Sequence, residues 1–345
     1  MNTRTAVLLL AAILTAATPA VAREESLQDH AAKKIAEIGS DRFFTLSIEN
    51  DLFGGGTDRN YTSGVRLTYF NLGTPMPAFA YSLDKYIPTF SINETTSVYY
   101  SFGQNLYTPS DITHTAQMPG DHPWAGFLYA SAGLSTITKN HVDDLEATIG
   151  VVGPAALGEP TQKFIHHVVN SPQPQGWDNQ LKNEPGLILS WQRRAPMLYH
   201  FKSRNWAGGA EPHFGITLGN IYTYTNAGIS FRLTPFEGLL QDDPVRVRPA
   251  MPGTGAFVVP DNAFNWYLFA GADSRAVARN IFLDGNTFSK SYSVDKKPVV
   301  TDLTAGVAFT YGSTRVTYAT VYRTREFYTQ KDPDVFGTVS LGLRF

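Results

Sequence analysis

The sequence predicts an all-β protein: a transmembrane antiparallel β-barrel of about 12 strands with a short loop helix near residues 160–169. Three observations carry this. Apolar and polar residues alternate through the C-terminal half and up to a terminal aromatic, Phe345. Aromatic residues make up 13% of 345 residues, with 17 Tyr and 22 Phe, yet mean hydropathy is only −0.17. A barrel explains that pairing, because only every second residue of each strand meets lipid and bulk hydropathy stays low. Finally, the N-terminus carries the marks of export.

Met1 to Ala22 holds a basic Arg4, an apolar run from Ala6 to Ala17 and the small residues Ala20-Val21-Ala22 ahead of Arg23-Glu24-Glu25. That is the layout of a secretory signal peptide, cleaved after Ala22. The run falls short of the ~20 apolar residues that a membrane-spanning helix needs. Residues 23–42 are polar and mildly helical and form a periplasmic lead-in, and 43–345 form a single outer-membrane barrel domain.

Strand-like segments begin near residues 43, 61, 95, 123, 142, 186, 207, 220, 263, 297, 314 and 336. Val339, Leu341, Leu343 and Phe345 alternate with Ser340, Gly342 and Arg344, and Leu303, Ala305, Val307 and Phe309 alternate with Thr304, Gly306, Ala308 and Thr310. Such period-two patterning places one face on lipid and the other in the lumen. An even number of strands suits an outer-membrane barrel. The Pro-rich pieces at 74–77, 171–174 and 244–260 read as loops.

One segment breaks the rhythm. From Glu159-Pro160 to Val169, before Asn170-Ser171-Pro172, the chain reads as a short helix, with Pro160 in its first turn and Pro172 beyond its end. Gln162 and His166 lie four apart and so share a helical face. Ile165 and Val169 form a second such pair that would seat the helix on the barrel wall. An imidazole on a packed helix is well aimed for proton transfer, which makes His166 a candidate general base. His167 points roughly 100° away.

A second polar cluster closes the first strand. Ser47-Ile48-Glu49-Asn50-Asp51 is followed by a Gly-rich tip and then by Thr57-Asp58-Arg59-Asn60-Tyr61-Thr62-Ser63-Gly64. Asn50, Asp51 and Thr62 bring an amide, a carboxylate and a hydroxyl to one hairpin rim, which is how a hard-cation site is built on strands. On residues alone, Asn50-Asp51 is equally a turn signal, Asp58 and Arg59 a wall ion pair, and His166 an exposed loop histidine.

Composition narrows the function classes. There is no Cys, so neither a disulfide frame nor thiol chemistry is available. The formal charge is −2, which argues against a nucleic-acid partner. No Gly-x-Ser-x-Gly elbow supports a serine-esterase route.

Taken together, Asn50-Asp51, Thr57-Asp58-Arg59-x-Tyr61-Thr62-x-Gly64, Gln104-Asn105-Leu106-Tyr107-Thr108-Pro109, Pro123-Trp124-Ala125-Gly126, Gly150-Val151-Val152-Gly153-Pro154 and Gln162-x-x-x-His166 resemble the outer-membrane lipid A 3′-O-deacylase family (LpxR-like), in that family's order. The resemblance implies a calcium-dependent ester hydrolase that removes the 3′-linked acyloxyacyl chain of lipid A. It matches His166 to the catalytic histidine and Asn50, Asp51, Thr62 and Gln162 to the polar residues around it. Asp51 would help to hold Ca²⁺, and His166 would take a proton from the attacking water. The partners implied are lipid A or lipopolysaccharide as substrate and outer-membrane lipids around a monomer. Two blocks depart from the pattern: Ser110-Asp111-Ile112-Thr113-His114-Thr115 stands where relatives carry a Lys-Arg pair, and Asp121-His122-Pro123 where Asp-Arg-Pro is common. A non-enzymatic barrel, whether porin or structural protein, and a phospholipase acting on glycerophospholipid are the alternatives. In the deacylase reading Asp51, Thr62 and His166 converge at one end of the barrel.

Overall fold

The computed structural model describes residues 26–38, 42–53, 60–72, 87, 90–196, 199–203, 206–235, 244, 246–247, 249, 253–257 and 264–345. The signal segment, Thr57 to Arg59 and the Pro-rich piece at 74–77 lie outside the described residues.

Among the described residues thirteen antiparallel strands form one sheet: β1 Arg42–Asn50, β2 Asn60–Asn71, β3 Ser97–Thr108, β4 Ala125–Ile137, β5 Val142–Val152, β6 Glu184–Arg194, β7 Tyr199–Ser203, β8 Trp206–Gly219, β9 Tyr222–Thr234, β10 Phe264–Asn280, β11 Val299–Tyr311, β12 Thr314–Arg323 and β13 Asp334–Arg344. Every strand pairs with its sequence neighbours except that β6 and β7 do not pair with each other, and β1 pairs with β13. The β6–β8 pairing closes the ring.

The ring holds twelve strands, because β6 and β7 share one edge of β8. Ile188–Arg194 pairs with Gly219–His213, and Tyr199–Ser203 pairs with Ala210–Trp206. The Ala195 amide carries the ladder one step past β6 by donating to Pro212 O at 3.0 Å. Pro196 has no N–H to give, so the ladder breaks there and β7 resumes it as a separate short strand. All twelve ring strands start within two residues of the positions read from periodicity.

The wall alternates as a membrane barrel requires. On β12, Arg315, Thr317, Ala319, Val321 and Arg323 are buried inward, while Val316, Tyr318 and Tyr322 are exposed outward. The lumen carries bonded charges: Asp302 takes Arg275 at 2.9 Å and Arg323 at 2.8 Å, and Glu146 takes Arg66. Charges buried from water are tolerable only when paired in this way.

The lumen is filled as well as charged. Described parts of the β9–β10 connection run inside it as a strap: Arg246 Nε donates to Glu49 at 2.9 Å, Arg315 donates to the Gly255 carbonyl at 2.6 Å, and Phe257 is buried. At the end where β1 starts and β13 finishes, Phe43, Phe70, Tyr99 and Phe257 form a cluster on which Ile35 of helix α1 (Leu27–Ile38) packs. That helix is capped by Ser26, whose hydroxyl accepts from the Asp29 amide at 3.1 Å. At the opposite end a one-turn helix, α3 (Ile281–Asp284), buries Ile281 and Phe282 against Tyr107, Phe127 and Tyr222.

Candidate active site on the outer wall

The end opposite the start of β1 and the finish of β13 carries Asn50, Asp51, Thr62, Gln162 and His166. After β5 the chain leaves the sheet, and helix α2 (Gly158–Val168) follows. Leu157 enters it in a left-handed conformation at φ 58°, and Asn170 at φ 55° lies just past its end. Leucine in that region is strained; asparagine tolerates it better and is a common residue beyond a helix end.

Helix α2 lies on the outside of the barrel. On β3, Tyr107 packs among the lumen aromatics, so its neighbours Leu106 and Thr108 face outward. A Cβ on Gly158 would stand 3.1 Å from Leu106, and one on Gly126 of β4 would stand 3.2 Å from Ala156. Gln104 Nε2 donates to the Ala156 carbonyl at 2.6 Å. The two glycines are what let helix and wall touch.

The buried stripe of α2 is Gly158, Gln162 and His166, spaced i, i+4, i+8. The pair Ile165 and Val169, expected to seat the helix, does not: Ile165 is half-buried and Val169 exposed. Seating falls to the small and polar stripe because glycines on both surfaces leave no room for branched side chains.

His166 is 4% exposed, and its Nδ1 lies 2.6 Å from the Pro172 carbonyl oxygen. A carbonyl only accepts, so Nδ1 carries the proton and the neutral ring keeps its lone pair on Nε2. Gln162, 2% exposed, accepts from the indole N–H of Trp177 at 2.8 Å through Oε1. Its amide NH₂ has no partner among the described residues. Trp177 itself is fixed against Trp124, with ring centroids 5.1 Å apart, in a cluster with Leu106 and Ile112. Sequence reading missed Trp177: a lone tryptophan in a loop has no spacing to mark it.

The hairpin half of the site sits on the neighbouring strands. Asn50 pairs with Ser63, and Ser63 with Leu106, so one ladder row runs from the end of β1 to the strand beneath α2. A bulge between Tyr61 and Ser63 inserts Thr62, whose hydroxyl meets that of Thr108 at 2.6 Å. Both halves therefore meet β3 two residues apart, at Leu106 and Thr108. Asp51 follows directly in a 3₁₀ turn and is buried.

Asp51, Asn50 and Thr62 offer a carboxylate, an amide and a hydroxyl, all hard oxygens of the kind Ca²⁺ takes. Among the described residues no group of three or more His, Cys, Asp or Glu is poised for a metal. An ion here would complete its shell with neutral oxygens, which suits Ca²⁺ better than Zn²⁺. In the β3–β4 loop, His122 stacks on Tyr107 at 4° and its Nδ1 lies 2.7 Å from the Pro123 carbonyl. Burial pushes its pKa below the usual histidine value, which favours the neutral ring.

A family model described as outer membrane protein LpxR matches residues 8–345. Among solved structures, LpxR from Salmonella typhimurium superposes with a TM-score of 0.69 at 19% identity, over 87% of this chain and 99% of that one. The β domain of the Bordetella autotransporter BrkA superposes with a TM-score of 0.39 at 9% identity, over 89% and 98%. No curated protein matches the chain.

Proposed function

The chain belongs to the outer membrane protein LpxR family, and from that premise we propose that it is a calcium-dependent lipid A 3′-O-deacylase. One observation carries the chemistry. It is the buried imidazole of His166, oriented through Nδ1 by the Pro172 carbonyl and held on a helix against the outside of a membrane barrel.

The reaction hydrolyses the ester that joins the 3′ acyloxyacyl chain to the glucosamine. His166 Nε2 takes a proton from water, which attacks the ester carbonyl, and the proton then passes to the departing alkoxide. While the ring is charged, its Nδ1–H bond to Pro172 strengthens and holds the imidazolium in place. The Gln162 NH₂, turned away from Trp177, is a donor for the water or the carbonyl. Asp51, with Asn50 and Thr62 beside it, would hold Ca²⁺, which supplies positive charge to the oxyanion.

Two features support this reading over a porin. Among the described residues the lumen side is occupied: Phe43, Phe70, Tyr99 and Phe257 cluster at one end with Ile35 of α1 packed on them, α3 packs on Tyr107, Phe127 and Tyr222 at the other, and Arg246 of the strap pairs with Glu49. The candidate residues also line the outer wall, where a lipid arrives with its chains still in the bilayer. A leader ending at Ala22 and a periplasmic residue 23–42 segment fit the same assignment.

Mass spectrometry of lipid A from cells producing the wild type or His166→Ala tests the proposal. The 3′ acyloxyacyl group is lost with the wild type alone, and wild-type membranes incubated with added lipid A and a calcium chelator from the start leave that lipid A unmodified. Unchanged lipid A in the presence of Ca²⁺ overturns it, and lysophospholipid in its place points to a phospholipase.

A further inference from the structure

Helix α2 divides its surface into three sectors. Gly158, Gln162 and His166 face the wall. Lys163 and His167 form an exposed polar flank, with Lys163 paired to Glu159 one turn before. Phe164 and Val168 form an exposed apolar flank, 69% and 65% open, with the exposed Leu157 just ahead of the helix. At 100° per residue the two exposed flanks are centred about 100° apart. One helix thus offers an apolar and a charged surface on adjoining flanks.

Its position says what covers the apolar flank. The strand beneath it changes character within two residues: Gln104 donates to the chain entering α2, whereas Phe102 and Tyr100 on the same outward face are open, as is Ile149 on β5. Strands rise about 3.4 Å per residue, so the lipid-facing band begins roughly 7 Å below the point where α2 is anchored. Phe164 and Val168 are thus exposed on a helix anchored next to that band, with Lys163 and His167 exposed on the adjoining flank.

We propose that α2 is a membrane-interface element. Phe164 and Val168 lie among the acyl chains of the leaflet at this end of the barrel, and Lys163 and His167 lie in its headgroup and water layer. Helices with such divided faces lie in the interface plane, their apolar side a few ångströms into the boundary. This inference rests on the membrane barrel alone and stands apart from the ester chemistry.

The absence of cysteine makes the test direct. Single variants Phe164→Cys, Val168→Cys, Lys163→Cys and His167→Cys are spin-labelled and reconstituted in vesicles of phosphatidylethanolamine and phosphatidylglycerol. All four positions are exposed, so the labels leave the fold intact. Labels at Phe102→Cys in the band and Tyr328→Cys in an exposed loop set the two limits. The ratio of oxygen to nickel-chelate accessibility at 164 and 168 matches the Phe102→Cys limit and exceeds that at 163 and 167 several-fold. Ratios at 164 and 168 equal to the Tyr328→Cys limit overturn the proposal.

Discussion

At the residue scale, the orientation of Gln162 follows from the one-sided chemistry of its neighbour. An indole N–H can only donate, so Trp177 fixes which end of the amide is oxygen and leaves the buried NH₂ without a partner among the described residues. Trp177→Phe keeps the ring that packs on Trp124 and Leu106 but releases the amide to rotate. A neutral hydrogen bond is worth about 1 kcal/mol, so kcat is expected to fall roughly five- to tenfold with KM unchanged. The same change in a Gln162→Ala background costs nothing further, because the group being positioned is gone. Steady-state kinetics on lipid A in mixed micelles checks this, and an equal loss in both backgrounds would reduce Trp177 to a packing residue. Gln162 was legible in the sequence because its spacing to His166 is a helical repeat. Trp177 was not, since its role arises only when the loop folds back on the helix.

At the element scale, the helix is held to the wall by missing side chains. Gly158 offers the test, because a Cβ there would stand 2.6 Å and 2.8 Å from the Trp177 ring and 3.1 Å from Leu106. A rigid indole cannot yield by a few tenths of an ångström as a flexible chain would. Overpacking of this kind costs about 1–3 kcal/mol. For Gly158→Ala that cost falls on α2 and its loop, outside the closed ring of strands. Activity is expected to drop well over tenfold while the heat-denaturation midpoint of the barrel in detergent barely moves. A midpoint that falls in step with activity would mean that α2 is part of the barrel's cooperative unit. Periodicity located this helix to within two residues because Pro160 and Asn170-Ser171-Pro172 bracket it, but it misjudged the buried face. An apolar i, i+4 pair normally marks the packed side of a helix in water; here Gly158, Gln162 and His166 are buried against the wall, while Phe164, Val168 and Val169 are exposed.

For the whole molecule, the outward pattern was readable and the inward filling was not. Lipid imposes a strict period of two on every strand, and that survives in the sequence whatever the neighbours are. The strap from the β9–β10 connection carries no such period and reads as a Pro-rich loop, because its burial depends on partners some two hundred positions away. Its key contact lies behind the candidate site. Glu49 points inward just before Asn50 and receives Arg246 Nε at 2.9 Å, Tyr61 OH at 3.1 Å and Thr338 Oγ1 at 3.1 Å. Tyr61 in turn precedes Thr62, so the lumen side of both strands is tied at the level where their outward residues form the site. Both partners of the ion pair are almost fully buried. Removing one side of such a pair strands the other charge and costs about 3–5 kcal/mol. Arg246→Ala is therefore expected to lower the heat-denaturation midpoint of the purified barrel, with Arg246→Lys recovering part of it by restoring the charge. Planar-bilayer recordings should also give little conductance for the wild type and a measurable one for Arg246→Ala, as the strap loosens from the wall. An unchanged midpoint together with unchanged conductance would mean that the strap is held by its Phe257 and Arg315 contacts alone.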